Sequence, residues 1–216
     1  MLPEEPELRT VVVFDWDDTL CPSSWLHAHQ LLPTYQGQPV ELPPVVSDVL
    51  HMLSEKVCDL LEAAQAYGPV FVVTAAEGGW VETACALYMP SVGALLTASP
   101  DIHIVSARTW FEGTYGVGGD ARHWKLEVLG VIAAKCFGAD TAVCNLVSVG
   151  DSLAERDACH AAVTGSPHIL AKTLKFIDVP DVLEIAHQVE LAFGSLHQMC
   201  HWRDHLDLHI TRDQLP

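Results

Sequence analysis

Positive charge is scarce in this chain of 216 residues: 11 Lys and Arg stand against 28 Asp and Glu, a formal charge of -17. A surface of that sign repels nucleic acid and anionic membranes, so neither is expected as a partner. Any phosphate-bearing ligand must be held by a local device, such as backbone N–H groups, a metal or a chosen Lys. Long apolar runs are missing too. The best stretch, VLGVIAAKCFGADTAVCNLVSVG, is broken by Lys135 and Asp140, which argues against a membrane span. The opening MLPEEPELRT lacks the basic and apolar regions of a secretory signal. No C-x-x-C pair occurs among Cys21, Cys58, Cys85, Cys136, Cys144, Cys159 and Cys200. Their number is odd and most sit in apolar surroundings, so buried free thiols of a cytoplasmic protein are expected. Repeats and low-complexity tracts are absent.

What is present is enough apolar sequence for one core. The length fits a single domain over 1–216, with 1–9 as an N-terminal tail, 21–44 as a flap and Pro-rich loop, and 202–216 as a C-terminal extension. Short β-rich runs recur: Thr10–Phe14, Val70–Val73, Ile102–Val105, Asn145–Val149 and Thr173–Ile177. Continuous apolar runs of this length suit strands buried on both faces. Between them lie helical patterns in VVSDVLHMLSEKVCDLLEAAQAYG, Gly79–Tyr88, Ala121–Phe137, Leu153–Ala162 and Asp181 to about His201. The alternation predicts an α/β fold, a Rossmann-like parallel sheet of about five strands with helices on both faces. EGTYGVGGD, Glu112–Asp120, reads as a flexible linker without the spacing of a phosphate cradle.

In such sheets ligands bind at the carboxyl ends of the strands. Those ends carry Asp15 and Asp17, then Thr74, then Gly150 and Asp151. The first run, VVVFDWDDTL, drives a buried strand straight into three carboxylates. Unpaired carboxylates at the edge of an apolar core are expensive, so something must offset the cost. Asp15 and Asp17 are two apart and in an extended segment point to one side. A cation between them would relieve their repulsion, and Mg2+ suits hard oxygen ligands.

DWDDTL after a buried strand, VVTAAE after the second, a Lys opening a later helix and VSVGDSLAERDA after the fourth resemble the four motifs of the haloacid dehalogenase superfamily. The resemblance runs from about Val11 to Ala158. It implies a Mg2+ ion held by the Asp15 carboxylate, the Asp17 backbone carbonyl and the Asp151 carboxylate. It also implies a phosphatase in which Asp15 attacks phosphorus and forms an aspartyl phosphate. Asp17 would protonate the leaving oxygen and then activate water. Thr74 would hold a phosphoryl oxygen, and Lys125 would neutralise charge on Asp15 and the phosphoryl group. Lys125 is preferred to Lys135 and Lys56 because it opens the helix before the fourth strand. Glu155 stands where the family pattern often has Asp; it would reach the metal through water or bond the loop, with Asp157 as competitor. Ser152 would cap the helix or orient Asp151.

Several residues carry plainer readings beside the functional ones. Asp18 suits bonding to local backbone N–H groups better than metal ligation. Thr19 suits bracing of the loop, and Arg108 a surface ion pair. Trp25, His27 and His29, in the flap SSWLHAHQ, either touch substrate or, for Trp25, pack on the sheet. His197, His201, His205 and His209 are four apart and on a helix would line one face, a solvated stripe more readily than a metal site. Neither slot for a cap domain is large. A capless site suits a phosphomonoester on a protein, or a small molecule if a second copy of the chain in a homo-oligomer supplies the lid. A phosphotransferase and a non-catalytic binding module are the alternatives; Asp17 argues against a dehalogenase.

Overall fold

The computed structural model describes residues 8–33, 38–115, 120–138 and 141–216. Strand β1 (Arg9–Asp15) is followed by α1 (Ser23–Ala28), α2 (Pro44–Gln65), β2 (Val70–Thr74), α3 (Trp80–Tyr88), α4 (Pro90–Ala98), β3 (Ile102–Ser106) and α5 (Ala107–Tyr115). Then come α6 (Ala121–Phe137), β4 (Cys144–Gly150), α7 (Leu153–Ala162), β5 (Ile169–Lys175), α8 (Val182–His201) and β6 (Leu206–His209). All strands run parallel, in the order β3-β2-β1-β4-β5-β6. This is the doubly wound arrangement, whose strand order reverses direction between β1 and β4.

Side-chain alternation in β1 builds both halves of the core. Val12 and Phe14 join the cluster formed with α2, α3, α4 and α8, which includes Leu53, Leu60, Val81 and Val189. Val11 and Val13 face the opposite cluster, with Val128, Leu129 and Ile132 of α6 and Cys159 of α7. A period of two with both faces apolar is what a sheet covered by helices on each side requires. In α2, Pro44 occupies the first turn, where its missing N–H costs nothing, and Leu50, Leu53, Val57, Leu60 and Leu61 form the buried stripe. Burying each such side chain contributes about 2 kcal/mol.

The α/β class, the parallel sheet and helices α2, α3, α6, α7 and α8 agree with expectation. Six strands, not five, make up the sheet. Arg9 belongs to β1 rather than to a tail; residues 1–7 lie outside the described ones. The expected extension at 202–216 contributes β6, paired with β5 from Lys172–Leu206 to Lys175–His209. The fifth strand starts four residues before its expected place, because ILAKTLK contains two lysines that look incompatible with a core. Both are buried. The loop at 21–44 contains α1, and the expected linker's Glu112–Tyr115 ends α5; residues 34–37 and 116–119 lie outside the described ones. The histidines do not share a helix face. His197 and His201 stack at 4.1 Å on the last turn of α8, His205 accepts the Ala171 N–H at 3.0 Å, and His209 closes β6. All seven cysteines are free. Among the described residues no helix is long and apolar enough to cross a membrane.

Lys172 shows how β5 tolerates its lysines. Its side chain is fully buried, and its ammonium donates to the carbonyls of Met199, at 3.1 Å, and Trp202. These belong to the C-terminal end of α8, where unpaired carbonyls and the helix dipole favour a cation. Burial nevertheless pulls the Lys172 pKa down to about 8. The folded state therefore binds fewer protons than the unfolded chain between about pH 8 and the ordinary lysine value near 10.5. We predict that the stability of wild type relative to Lys172→Met rises across this window, measured as the difference in urea unfolding free energy.

Candidate active site

The alternation that builds the core also aims Asp15. It follows Val11 and Val13 onto the α6–α7 face, while Trp16 turns to the other side and is fully buried there. Asp15 is 3 % exposed. Its Oδ1 accepts from the Lys125 ammonium at 2.7 Å, and Lys125 donates also to Glu155 Oε1. Lys125 comes from the second turn of α6, itself started by the Asp120 side chain accepting from the Arg122 N–H at 3.0 Å. The Thr19 hydroxyl approaches Asp15 Oδ2 at 3.5 Å. The expected lysine is thus the one beside Asp15; Lys56 pairs with Glu190 at 2.8 Å, and Lys135 lies 5.7 Å from the Trp110 ring.

Glu155, rather than Asp157, faces this centre. At the start of α7 the Ser152 hydroxyl accepts from the Ala154 N–H at 3.0 Å and donates to Glu155 Oε2 at 2.6 Å, and the Ser152 N–H donates to the same oxygen at 3.0 Å. This capping box holds the glutamate with Oε2 on the helix start and Oε1 on Lys125. Gly150 makes room: a Cβ there would stand 2.4 Å from Glu155 Cγ. Asp157 is exposed and pairs with Arg156 at 3.1 Å. Ser152 therefore caps the helix and orients Glu155.

Asp17 belongs to a different set of partners. Its Oδ2 accepts from the Thr74 hydroxyl at 2.6 Å. Its Oδ1 accepts from Ser23 Oγ at 2.6 Å and from the Trp80 indole at 2.8 Å. Thr74 in turn accepts from the Ala76 N–H at 3.0 Å. The expected phosphate-holding hydroxyl is thus occupied by Asp17. Ser23 and Trp80 carried no mark in the sequence. Trp80 reaches Asp17 because Gly79, at φ 91°, starts α3 in a left-handed conformation that favours glycine. Asp15 and Asp17 are close in sequence yet share no side-chain partner.

The plainer readings hold for the neighbours. Asp18, at φ 55°, accepts from the N–H and hydroxyl of Ser24 and so ties the start of α1. Arg108 pairs with Glu112 at 3.1 Å and Glu77 at 3.6 Å. Trp25 packs against the larger core cluster and stacks on His29 at 4.3 Å. His27 is exposed.

The electrostatics are unbalanced. Burial raises the Asp15 pKa well above the carboxylate range; Lys125 opposes this, and Glu155 and Asp151 add to it. Burial draws the Lys125 ammonium down, but Asp15 and Glu155 outweigh it and hold the group above the ordinary lysine value. Asp151 is pushed up to about 7, first by burial and then by Glu155. Two carboxylates thus bond one buried ammonium, and Asp151 adds a third acidic group to the same field. No group of three or more His, Cys, Asp or Glu gathers as a metal cluster among the described residues. Asp151 acts electrostatically on Asp15, and carboxylate oxygens are the donor type that a hard divalent cation takes. No protein-family model, curated protein or solved structure matches the chain.

Asp151 gives a direct test of that imbalance. Its raised pKa favours the folded state fully below the ordinary value of 3.8, and the benefit is lost as pH rises to about 7. In chelator, Asp151→Asn is expected to gain stability over wild type across this window and to show little difference below it. Adding Mg2+ at pH 8 should raise the melting temperature of wild type and not that of the variant.

Proposed function

We propose that this protein is a Mg2+-dependent phosphomonoester phosphatase working through an aspartyl phosphate at Asp15. The observation that carries the reading is a buried carboxylate at the carboxyl end of β1, at the point where strand order reverses, bonded on one oxygen by the Lys125 ammonium. Resemblance of the four motifs to the haloacid dehalogenase superfamily supports it.

The chemistry follows from the residues in place. Among the described residues Asp15 Oδ2 has only the long Thr19 contact, and it is the oxygen that attacks phosphorus. The new P–O bond forms as the ester P–O bond breaks. Lys125, held between Asp15 and Glu155, stays charged and offsets the negative charge that builds on the phosphoryl oxygens. Asp17 gives its proton to the departing alkoxide. It then takes a proton from the water that attacks the phosphoaspartate, and the acyl phosphate P–O bond breaks to restore Asp15. Thr74, Ser23 and Trp80 keep the Asp17 carboxyl aimed, so its proton transfer needs no search for orientation. Asp15, Asp151 and the Asp17 carbonyl would hold the Mg2+ ion, which when bound supplies further neutralisation of phosphoryl charge. A cytoplasmic location, and a substrate that is a phosphoprotein or a phosphorylated metabolite, complete the proposal.

Hydrolysis of an aryl phosphate with Mg2+ is the basic assay. Asp15→Asn should lower kcat by at least about 1,000-fold; equal rates in both proteins would reject the mechanism. Trp80→Phe should lower kcat/KM by about tenfold, through loss of one of the three hydrogen bonds that aim the Asp17 carboxyl. The loss should be larger for esters of poor leaving groups, which need the Asp17 proton most.

A further inference from the structure

A cleft touches the proposed site. It has a volume of about 160 Å³ and is lined by Thr74, Glu77, Gly79, Glu82, Ile104 and Trp110 among others. Thr74 connects it to Asp17 at 2.6 Å. We propose that this cleft is the leaving-group subsite, and that it takes a compact aromatic ring bearing no second negative charge. This rests on the phosphatase reading above.

Three features define that preference. The first is size: sites that bury drug-sized ligands run roughly 300–1,000 Å³, so this cleft is suited to a single ring. The second is surface chemistry. The hydroxyls nearby are already satisfied: Ser106 donates to the Ala76 carbonyl at 2.6 Å, and Thr109 accepts from the Gly78 N–H at 2.9 Å. That leaves Ile104 and the Trp110 indole as apolar contact surface, with the buried Val81 behind them. Trp110 is 46 % exposed; Lys135 stands over its ring at 5.7 Å, and the remaining indole surface is a large apolar contact for an aromatic neighbour. The third is charge. Among the described lining residues there is no Lys or Arg, while Glu77 and Glu82 are both present; the nearby Lys135 ammonium is placed over the Trp110 ring. Arg108, beside the cleft, is held by Glu77 and Glu112. A second phosphate or a carboxylate on the leaving group would meet like charge. Sugar bisphosphates and nucleotides are thereby disfavoured, and the phosphoryl ester of a phenol is accommodated.

Non-hydrolysable phosphonates test binding apart from catalysis. In calorimetric titrations with Mg2+, phenylphosphonate should bind roughly tenfold tighter than methylphosphonate. Trp110→Ala, at an exposed position, should shrink the ratio below about threefold. A carboxylate on the phenyl ring should weaken binding to wild type, and Glu82→Gln should recover part of the loss. Equal binding of phenyl and methyl compounds, a ratio unchanged in Trp110→Ala, or tighter binding of 2-aminoethylphosphonate than of phenylphosphonate would overturn the subsite. If phenylphosphonate binds as expected but no phosphate ester is hydrolysed, the subsite stands and the phosphatase reading falls. If esters are hydrolysed by wild type and not by Asp15→Asn without any preference for a ring, the reverse holds. A phosphotyrosyl peptide and free phenyl phosphate then separate a protein source from a metabolite. Turnover of at least one faster than of a sugar phosphate supports the subsite, and slower turnover of both contradicts it.

Discussion

The Lys125 ammonium, buried between Asp15 and Glu155, is the contact on which the site depends. Removing it would leave two buried carboxylates unpaired, a loss on the order of 3–5 kcal/mol. Keeping it still leaves charge uncompensated, since Asp151 adds a third carboxyl group to the same surroundings. A chain selected for stability alone would place apolar residues here. Concentrated carboxylate charge around one fixed ammonium makes sense if a divalent cation completes the balance.

The fold supplies this arrangement from ordinary parts. Alternation along β1 sends Asp15 to the α6–α7 face. The Asp120 cap starts α6 so that Lys125 stands one turn in, and the Ser152 box starts α7 so that Glu155 folds back over Gly150. Asp17, beyond the strand's end, is gripped by neutral donors from α1, β2 and α3. Asp15 and Asp17 are thus held by different means, one ionic and one by neutral hydrogen bonds. The proposed leaving-group cleft lies where Thr74, a donor to Asp17, meets Ser106 at the end of β3.

Much of this was legible in the sequence. The runs Thr10–Phe14 and Asn145–Val149 suited strands covered on both faces, and the ends of α6 and α7 were marked by Gly138 and Ser152. Lys125 was identifiable by its place opening a helix. What escaped notice depended on long-range contacts. β5 holds lysines whose charge is satisfied by carbonyls of α8 and the following loop, which no local pattern reveals. β6 is short, on the sheet edge, and interspersed with Asp and His, so its alternation was hidden by a four-residue histidine spacing. Ser23 and Trp80 became partners of Asp17 only through tertiary approach. Thr74 was found correctly at the end of β2, but its hydroxyl serves Asp17 in this structure.

The central claim is that Asp15 becomes phosphorylated. The most direct measurement is to mix the protein with an aryl phosphate and Mg2+, quench in acid, reduce with borohydride and sequence the peptides by mass spectrometry. Borohydride converts an acyl phosphate of aspartate to homoserine. The account predicts homoserine at position 15, dependent on substrate and Mg2+ and absent when Lys125 is replaced by Met. Turnover with unmodified Asp15, or homoserine at position 17 instead, would contradict it.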